Sequence, residues 1–126
     1  MARTLLVAFA LTLMLVAAAA CSGPSDPEVV PTTEEGYPIV RQDRLRFIPR
    51  ELTIQPGQAV LFRNDETAIH DVVVNGENVS GDLRKGDEFL WRFDEPGTYL
   101  ITCTYHPQMR LELEVVAASA SPEASD

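Results

Sequence analysis

Apolar side chains recur at every second position in several segments of this chain, and this period decides what it can fold into. The clearest segments carry Phe89, Trp91 and Phe93, and then Leu111, Leu113 and Val115. A helix would need apolar spacings of three and four, whereas alternation is typical of strands with one buried face. We find no ten-residue helical pattern after the first twenty residues. The period therefore predicts an all-β domain.

Other short apolar runs bring the expected number of strands to about seven in some eighty residues. These runs are residues 45–48, 51–54, 59–63, 70–74 and 98–102. Pro56-Gly57 and Pro96-Gly97 each place a fixed φ before a glycine, as a type II turn requires, and Asn75-Gly76 and Lys85-Gly86 supply further breaks. The pattern predicts an antiparallel sandwich or barrel.

The first twenty residues have the layout of an export signal. Arg3 precedes an apolar run that begins at Leu5 and passes through four alanines to Cys21. The run is shorter than the roughly 20 residues of a spanning helix, so we expect a signal peptide over 1–20. A cysteine directly after small residues resembles the lipobox of bacterial lipoproteins, which implies a lipid anchor on Cys21, although Ala18 departs from that pattern. The alternative is an ordinary signal peptide cut nearby.

Composition divides the remaining chain into a linker, a domain and a tail. We expect a lipid-anchored flexible linker over 21–38, the folded domain over 39–117 and a disordered tail over 118–126. The chain has 19 acidic and 10 basic residues, a formal net charge of −9. This balance makes the chain a poor candidate for binding nucleic acid or anionic membrane surfaces, because both are negative, and we expect no nucleic acid partner. We expect an exported monomer, lipid-anchored at the outer face of the cytoplasmic membrane or at a periplasmic leaflet.

Side chains that bind soft metals are few and clustered. Apart from Cys21, the chain beyond the signal has one cysteine, two histidines and one methionine. Cys103, His106 and Met109 lie in one Cys-x2-His-x2-Met loop, and His70 lies at the start of an earlier predicted strand. Each residue alone is more often part of a core or surface. Together they predict a metal site.

The ligand set favours copper over zinc. Two imidazoles, a thiolate and a distant thioether form the set typical of blue copper sites, which suits both Cu(I) and Cu(II). Structural zinc sites are usually built from cysteine and histidine alone, which would leave the methionine unexplained. We therefore expect one type 1 copper per chain.

Five motifs resemble the cupredoxin family, and most closely its amicyanin and plastocyanin branch. They are Phe47-Ile48-Pro49, Leu52-Thr53-Ile54-Gln55-Pro56-Gly57, Val60-Leu61-Phe62-Arg63-Asn64, Phe93-Asp94-Glu95-Pro96-Gly97-Thr98-Tyr99 and Cys103-Thr104-Tyr105-His106-Pro107-Gln108-Met109. The resemblance implies a Greek-key antiparallel β-sandwich that holds copper through His70, Cys103, His106 and Met109. It also implies that His106, with Pro107 beside it, is the portal for electrons.

Two positions depart from the family pattern. Where the family commonly has an asparagine that braces the residue after the cysteine, this chain has Asp71, which we expect to accept a hydrogen bond from Thr104. A carboxylate near copper favours Cu(II), so Asp71→Asn is expected to raise the reduction potential. The second departure is Gln108, an alternative axial ligand next to Met109.

The residues favour an electron carrier over an enzyme. A catalytic copper would need further histidines, and a binuclear copper relay would need two cysteines in the loop. We therefore expect no enzymatic activity and a redox protein partner, such as a cytochrome, an oxidoreductase or an oxidase. The alternatives are a copper-binding or copper-delivery lipoprotein of cupredoxin fold and a domain whose metal is only structural.

Overall fold

Nine β-strands form two sheets in residues 29–118, the part of the chain that the computed structural model describes. One sheet contains β1 (Ile39–Asp43), β2 (Arg46–Ile48), β4 (Gln58–Asn64) and β7 (Glu88–Phe93), in the order β2-β1-β4-β7. The other contains β3 (Glu51–Ile54), β5 (Val73–Val74), β6 (Glu77–Asn78), β8 (Gly97–Thr102) and β9 (Arg110–Val115), in the order β3-β9-β8-β5-β6. Within the described residues, no helix has the length and apolar character needed to cross a membrane. The expected signal peptide, Cys21 and residues 119–126 lie outside them.

The predicted all-β sandwich is confirmed, but each sheet also contains one parallel pair. β1 runs parallel to β4, with Val40 opposite Phe62, and β3 runs parallel to β9, with Leu52 opposite Leu113. The chain leaves the first sheet after β2 and enters the second sheet with β3. The two strands of each parallel pair are therefore not consecutive in the sequence. Alternation identifies a strand and its buried face but not its direction, and for this reason the parallel pairs were not predicted.

Buried positions follow the predicted alternation. Along β9, every second residue from Leu111 to Val115 is buried and the residues between them are exposed. On β7, Phe89 and Trp91 are half-buried and stack with ring centroids 5.8 Å apart. Side chains from both sheets form one core, which extends to the fully buried Met109. The apolar core therefore continues up to the metal-binding loop predicted from the sequence.

The segment predicted as a strand over 70–74 is different in the structure. Only Val73 and Val74 form a strand, and the four residues from His70 to Val73 are all buried instead of alternating. His70 forms an isolated bridge with Leu83. Because residues 77–83 cover this segment on one side and the core covers it on the other, its consecutive side chains all lose contact with water.

The predicted turns have mixed outcomes. Gly57 has a φ of 84°, the value that a type II turn requires. Gly97 has a φ of 148° and begins β8, so the second predicted type II turn is wrong. Asn75 and Gly76 have φ values of 48° and 88° and join β5 to β6, which is the two-residue type I′ hairpin favoured by Asn-Gly.

Part of the expected linker is described by the structure. The backbone N–H of Ile39 donates to the carbonyl of Pro31 at 2.8 Å, and Thr32 forms a bridge with Pro38. The side chain of Val30 packs against the core. Residues 30–39 therefore contact the sandwich.

A cluster of charges lies at the end of β4. Asp65 accepts a hydrogen bond of 2.6 Å from Arg63, and its other oxygen lies 3.6 Å from Arg41. The hydrogen bond from Arg63 holds the pKa of the Asp65 carboxyl below its ordinary value of 3.8, although partial burial opposes this shift. Because the folded-state pKa is the lower one, the cluster contributes stability above about pH 4 and loses it as the pH falls through that pKa.

We expect Asp65→Asn to lower the free energy of unfolding at pH 7 by at most about 1 kcal/mol, since the charges are partly solvated. At pH 3 the variant and the natural protein should be closer in stability. Urea unfolding at both pH values measures this, and Asp94→Asn, which breaks an exposed pair with Arg92, is the control. An unchanged pH dependence in Asp65→Asn would contradict the role of this cluster.

Candidate metal centre

Three of the predicted ligands converge at one end of the sandwich. The Sγ atom of Cys103 lies 3.7 Å from Nδ1 of His70 and 3.8 Å from Nδ1 of His106. The three ligand atoms all lie within 4.8 Å of one another. Cys103 and His70 are buried, whereas His106 is partly exposed. The structure therefore brings together one thiol and two imidazoles from distant parts of the sequence.

The backbone holds each of these residues in place. His70 donates its N–H to the carbonyl of Leu83 at 3.1 Å and accepts from the N–H of Leu83 at 2.7 Å. Cys103 directly follows β8, in the middle of its sheet. The loop then closes by a hydrogen bond of 2.9 Å from the N–H of Met109 to the carbonyl of His106. A compact turn thus leads from the cysteine to the start of β9.

The fourth predicted ligand, Met109, belongs to both the loop and the core. Its side chain is fully buried and packs in the cluster that includes Cys103. Gln108, the alternative axial ligand, is exposed. Burial in the same core cluster as Cys103 favours Met109 over the exposed Gln108 as the axial ligand.

We expect Met109→Ala to change the visible spectrum and the reduction potential of the copper-loaded protein, because an axial thioether tunes both. Gln108→Ala removes an exposed side chain from the same loop and serves as the matched control. Absorption spectroscopy and voltammetry of the two variants measure the difference. If Gln108→Ala alters the spectrum and Met109→Ala does not, the assignment of the axial ligand is wrong.

Sequence reasoning missed Glu66, which contacts the first histidine. Its Oε1 atom lies 2.6 Å from Nε2 of His70, so the imidazole is held on the side opposite the sulfur. The same oxygen accepts the N–H of Leu45 at 2.9 Å. Burial opposes ionisation of Glu66, but the backbone N–H of Leu45 and the His70 ring together hold the pKa of its carboxyl below the ordinary value.

The turn that reaches Glu66 has a strained backbone. Arg44 and Leu45 both have a φ of 54°, a left-handed conformation that non-glycine residues adopt rarely. This conformation directs the N–H of Leu45 to the carboxylate that contacts His70. Strain of this kind clusters at functional sites, and here it contributes to the orientation of a ligand.

Asp71 contacts the residue after the cysteine, as expected. Its Oδ1 atom accepts a hydrogen bond of 2.7 Å from the backbone N–H of Thr104. Asp71 is 1% exposed, and its backbone carbonyl accepts a hydrogen bond of 3.0 Å from Nε2 of Gln42. A buried carboxylate is therefore bonded directly to the loop that carries Cys103.

Asn64 is a second residue that sequence reasoning missed. Its Nδ2 atom donates to the carbonyls of Ala68 and Leu83 at 2.7 and 2.9 Å, and its Oδ1 accepts the N–H of Glu66 at 2.9 Å. The side chain is fully buried. Asn64 thus ties the end of β4 to the loop before His70 and to the segment that pairs with His70.

His106 is the one of the three clustered ligands that reaches the surface. Pro107 beside it is exposed, and so is Tyr105, whose hydroxyl donates to Asp82. The rings of His70 and His106 have centroids 4.8 Å apart and an interplanar angle of 62°. An approaching molecule can therefore contact the His106 imidazole while the sulfur stays covered.

The chemistry of this donor set fits copper. Burial raises the pKa of the Cys103 thiol, and hydrogen bonds from nearby backbone groups partly offset that effect. A bound metal ion would favour the thiolate. One sulfur and two imidazole nitrogens, with a buried thioether in the same loop, form the trigonal His2Cys set with a weak methionine that is characteristic of blue copper sites.

Comparison with known proteins decides the family. A family model described as copper binding proteins of the plastocyanin/azurin family matches residues 37–117. The chain belongs to the plastocyanin/azurin family. This membership makes it a copper protein of the electron-transfer class, and its His70, Cys103, His106 and Met109 arrangement matches a type 1 copper site.

Within the plastocyanin/azurin family, the chain is similar to amicyanins. It is 32% identical over 110 residues to amicyanin-alpha from Methylorubrum extorquens, a match that covers 82% of this chain and 92% of that protein. It is 30% identical over 78 residues to amicyanin from Paracoccus versutus, covering 57% of this chain and 59% of that protein. The structure of a reduced amicyanin variant matches with a TM-score of 0.61 at 28% identity, covering 67% of this chain and 86% of that one. The likeness confirms the cupredoxin sandwich.

Proposed function

We propose that this protein shuttles single electrons between redox proteins outside the cytoplasmic membrane. The observation that carries the proposal is the convergence of the Cys103 sulfur and the Nδ1 atoms of His70 and His106 within 4.8 Å. The similarity to amicyanins supports the same class. Copper bound there supplies a one-electron couple between Cu(I) and Cu(II).

The chain contributes rigidity to this function. His70 is fixed by Glu66 at its ring and by Leu83 at its backbone. Cys103 continues a central strand, and the loop that follows it is closed by the bond between Met109 and His106. Ligands held in this way move little when the charge of the site changes, and a small rearrangement favours fast electron transfer.

The exposed edge of His106 is the proposed route for electrons. The ring is partly exposed, whereas His70 and Cys103 are shielded from water. A partner that docks over His106 and Pro107 therefore comes closer to the site there than at its other ligands. The net charge of −9 favours association with a basic redox protein.

The proposed location depends on the sequence pattern around Cys21. A lipid on this cysteine would keep the domain at the membrane, with the residues between Cys21 and the segment that contacts the sandwich as a tether. Mass spectrometry of the protein from its native membranes tests this. A mature chain that begins with a lipid-modified Cys21 is the expected result, and an unmodified cysteine or another N-terminus would contradict it.

Copper addition to the purified mature chain tests the function. An intense visible absorption and a reversible one-electron wave in voltammetry are expected. Copper that is readily lost to a chelator and gives no thiolate-to-copper absorption would favour the delivery protein instead. A chain that stays colourless and electrochemically silent with copper would refute the electron carrier.

A further inference from the structure

The buried carboxylate of Asp71 accepts a second hydrogen bond, from a residue of the hairpin formed by β5 and β6. Nδ2 of Asn78 donates to Oδ2 of Asp71 at 2.8 Å, while the N–H of Thr104 donates to Oδ1 at 2.7 Å. Oδ1 of Asn78 accepts the N–H of Gly81 at 2.9 Å, which fixes the amide with its N–H groups facing Asp71. Each oxygen of Asp71 therefore receives one hydrogen bond.

The hairpin formed by β5 and β6 places Asn78 next to the Asp71 carboxylate. The type I′ turn at Asn75-Gly76 fixes the register that sets Asn78 opposite Val73, two residues after Asp71. Two further bonds hold the same segments together, because Val72 accepts the N–H of Val79 at 3.0 Å and donates to Ser80 at 2.7 Å. Residues 78–80 are therefore hydrogen-bonded to the two residues that follow His70.

We propose that Asn78 is a positioning residue for the metal centre, because it fixes the orientation of the Asp71 carboxylate and, through Thr104, the backbone after Cys103. The inference rests on the proposed copper function and extends it to a residue whose side chain is hydrogen-bonded to Asp71 and Gly81 and not to a ligand. Among the described residues, no lysine, arginine or histidine lies within ion-pair distance of Asp71. The hydrogen-bond donors to its two oxygens are both neutral N–H groups.

Loss of the Asn78 donor has two physical consequences. One oxygen of a carboxylate that is 1% exposed is left without its hydrogen bond, which costs stability. The carboxylate can then rotate, which weakens its hold on Thr104. Its charge is also offset less, and an uncompensated negative charge near copper favours Cu(II).

Exchanging the side chains of Asp71 and Asn78 in a double variant distinguishes the effect of the hydrogen bonds from the effect of the charge. In Asp71→Asn a single amide oxygen replaces two acceptor oxygens, so the new NH2 group faces the donor of either Asn78 or Thr104 and one hydrogen bond is lost. In Asn78→Asp two carboxylates face each other and the hydrogen bond between the two residues is lost. In the double variant, an amide at 71 can donate to a carboxylate at 78, and that carboxylate can still accept from Gly81. The hydrogen bonds are restored with reversed polarity, and the charge moves to an exposed position.

Urea unfolding of the copper-free protein gives the first measurement. Each single variant should raise the unfolding equilibrium constant by about tenfold, and the double variant should be more stable than either. Gln55→Glu adds a negative charge at an exposed position in a distant turn and should change little. If the effects of the two single variants simply multiply in the double variant, the pairing is refuted.

Voltammetry of the copper-loaded protein gives the second measurement. Asn78→Ala should lower the reduction potential, and the double variant should raise it above the natural value. An unchanged potential in Asn78→Ala would refute the positioning role. If the natural protein shows no copper absorption at all, the proposed function fails, while the unfolding cycle still decides whether Asn78 and Asp71 act as a pair.

Discussion

Cys103→Ser is expected to abolish the intense visible absorption of the copper-loaded protein. This absorption arises from charge transfer between a thiolate and copper, and Cys103 Sγ is the only sulfur among the three clustered ligand atoms. A serine hydroxyl does not form a comparable soft anion at neutral pH, so copper affinity and the reversible redox wave should fall with the colour. Absorption, chelator competition and voltammetry of the copper-loaded variant measure these losses.

The interpretation of Cys103→Ser requires an intact fold. Cys103 is 3% exposed, and a buried hydroxyl without a good partner costs about 1–3 kcal/mol. Unfolding of the copper-free variant therefore has to be measured in parallel. Cys21→Ser changes the other cysteine of the chain and should keep the colour. A Cys103→Ser protein with the natural absorption would exclude this cysteine as a ligand.

Local patterns predicted most of the fold. The alternation from Leu111 to Val115 shows which face of a strand is buried, because adjacent side chains point to opposite faces of a sheet. β1 was not predicted, since its inward position 42 carries a glutamine where the pattern needs an apolar residue. Gln42 is fully buried and donates to the carbonyl of Asp71. Because Gln42 makes a tertiary hydrogen bond at a position where an apolar residue was expected, the sequence pattern did not reveal β1.

The candidate site was predictable only where its residues are close in sequence or rare. Cys103, His106 and Met109 share one loop, and the second histidine of the chain completes the set. Glu66 and Asn78 resemble ordinary surface residues, because their contacts depend on how distant loops pack. An acidic residue four positions before His70 was the one available signal, and at that spacing it is weak.

Asn64→Ala is expected to have the largest effect on stability among the variants at the metal end. The fully buried side chain makes three hydrogen bonds to the backbone of two loops, and alanine leaves those groups without it. Each unsatisfied buried group costs about 1–3 kcal/mol, and we expect a total loss of about 3 kcal/mol. Urea unfolding of the copper-free protein at pH 7 measures this loss.

The same substitution should also disturb copper binding, because it loosens one residue that holds a ligand. Asn64 accepts the N–H of Glu66, and Glu66 holds the ring of His70. Gln58→Ala is the matched control: it lies at the other end of β4 and accepts only an exposed bond from Gln55, so it should cost less than about 0.5 kcal/mol. If Asn64→Ala lost stability but bound copper with the natural affinity and spectrum, Asn64 would stabilise the fold without positioning His70.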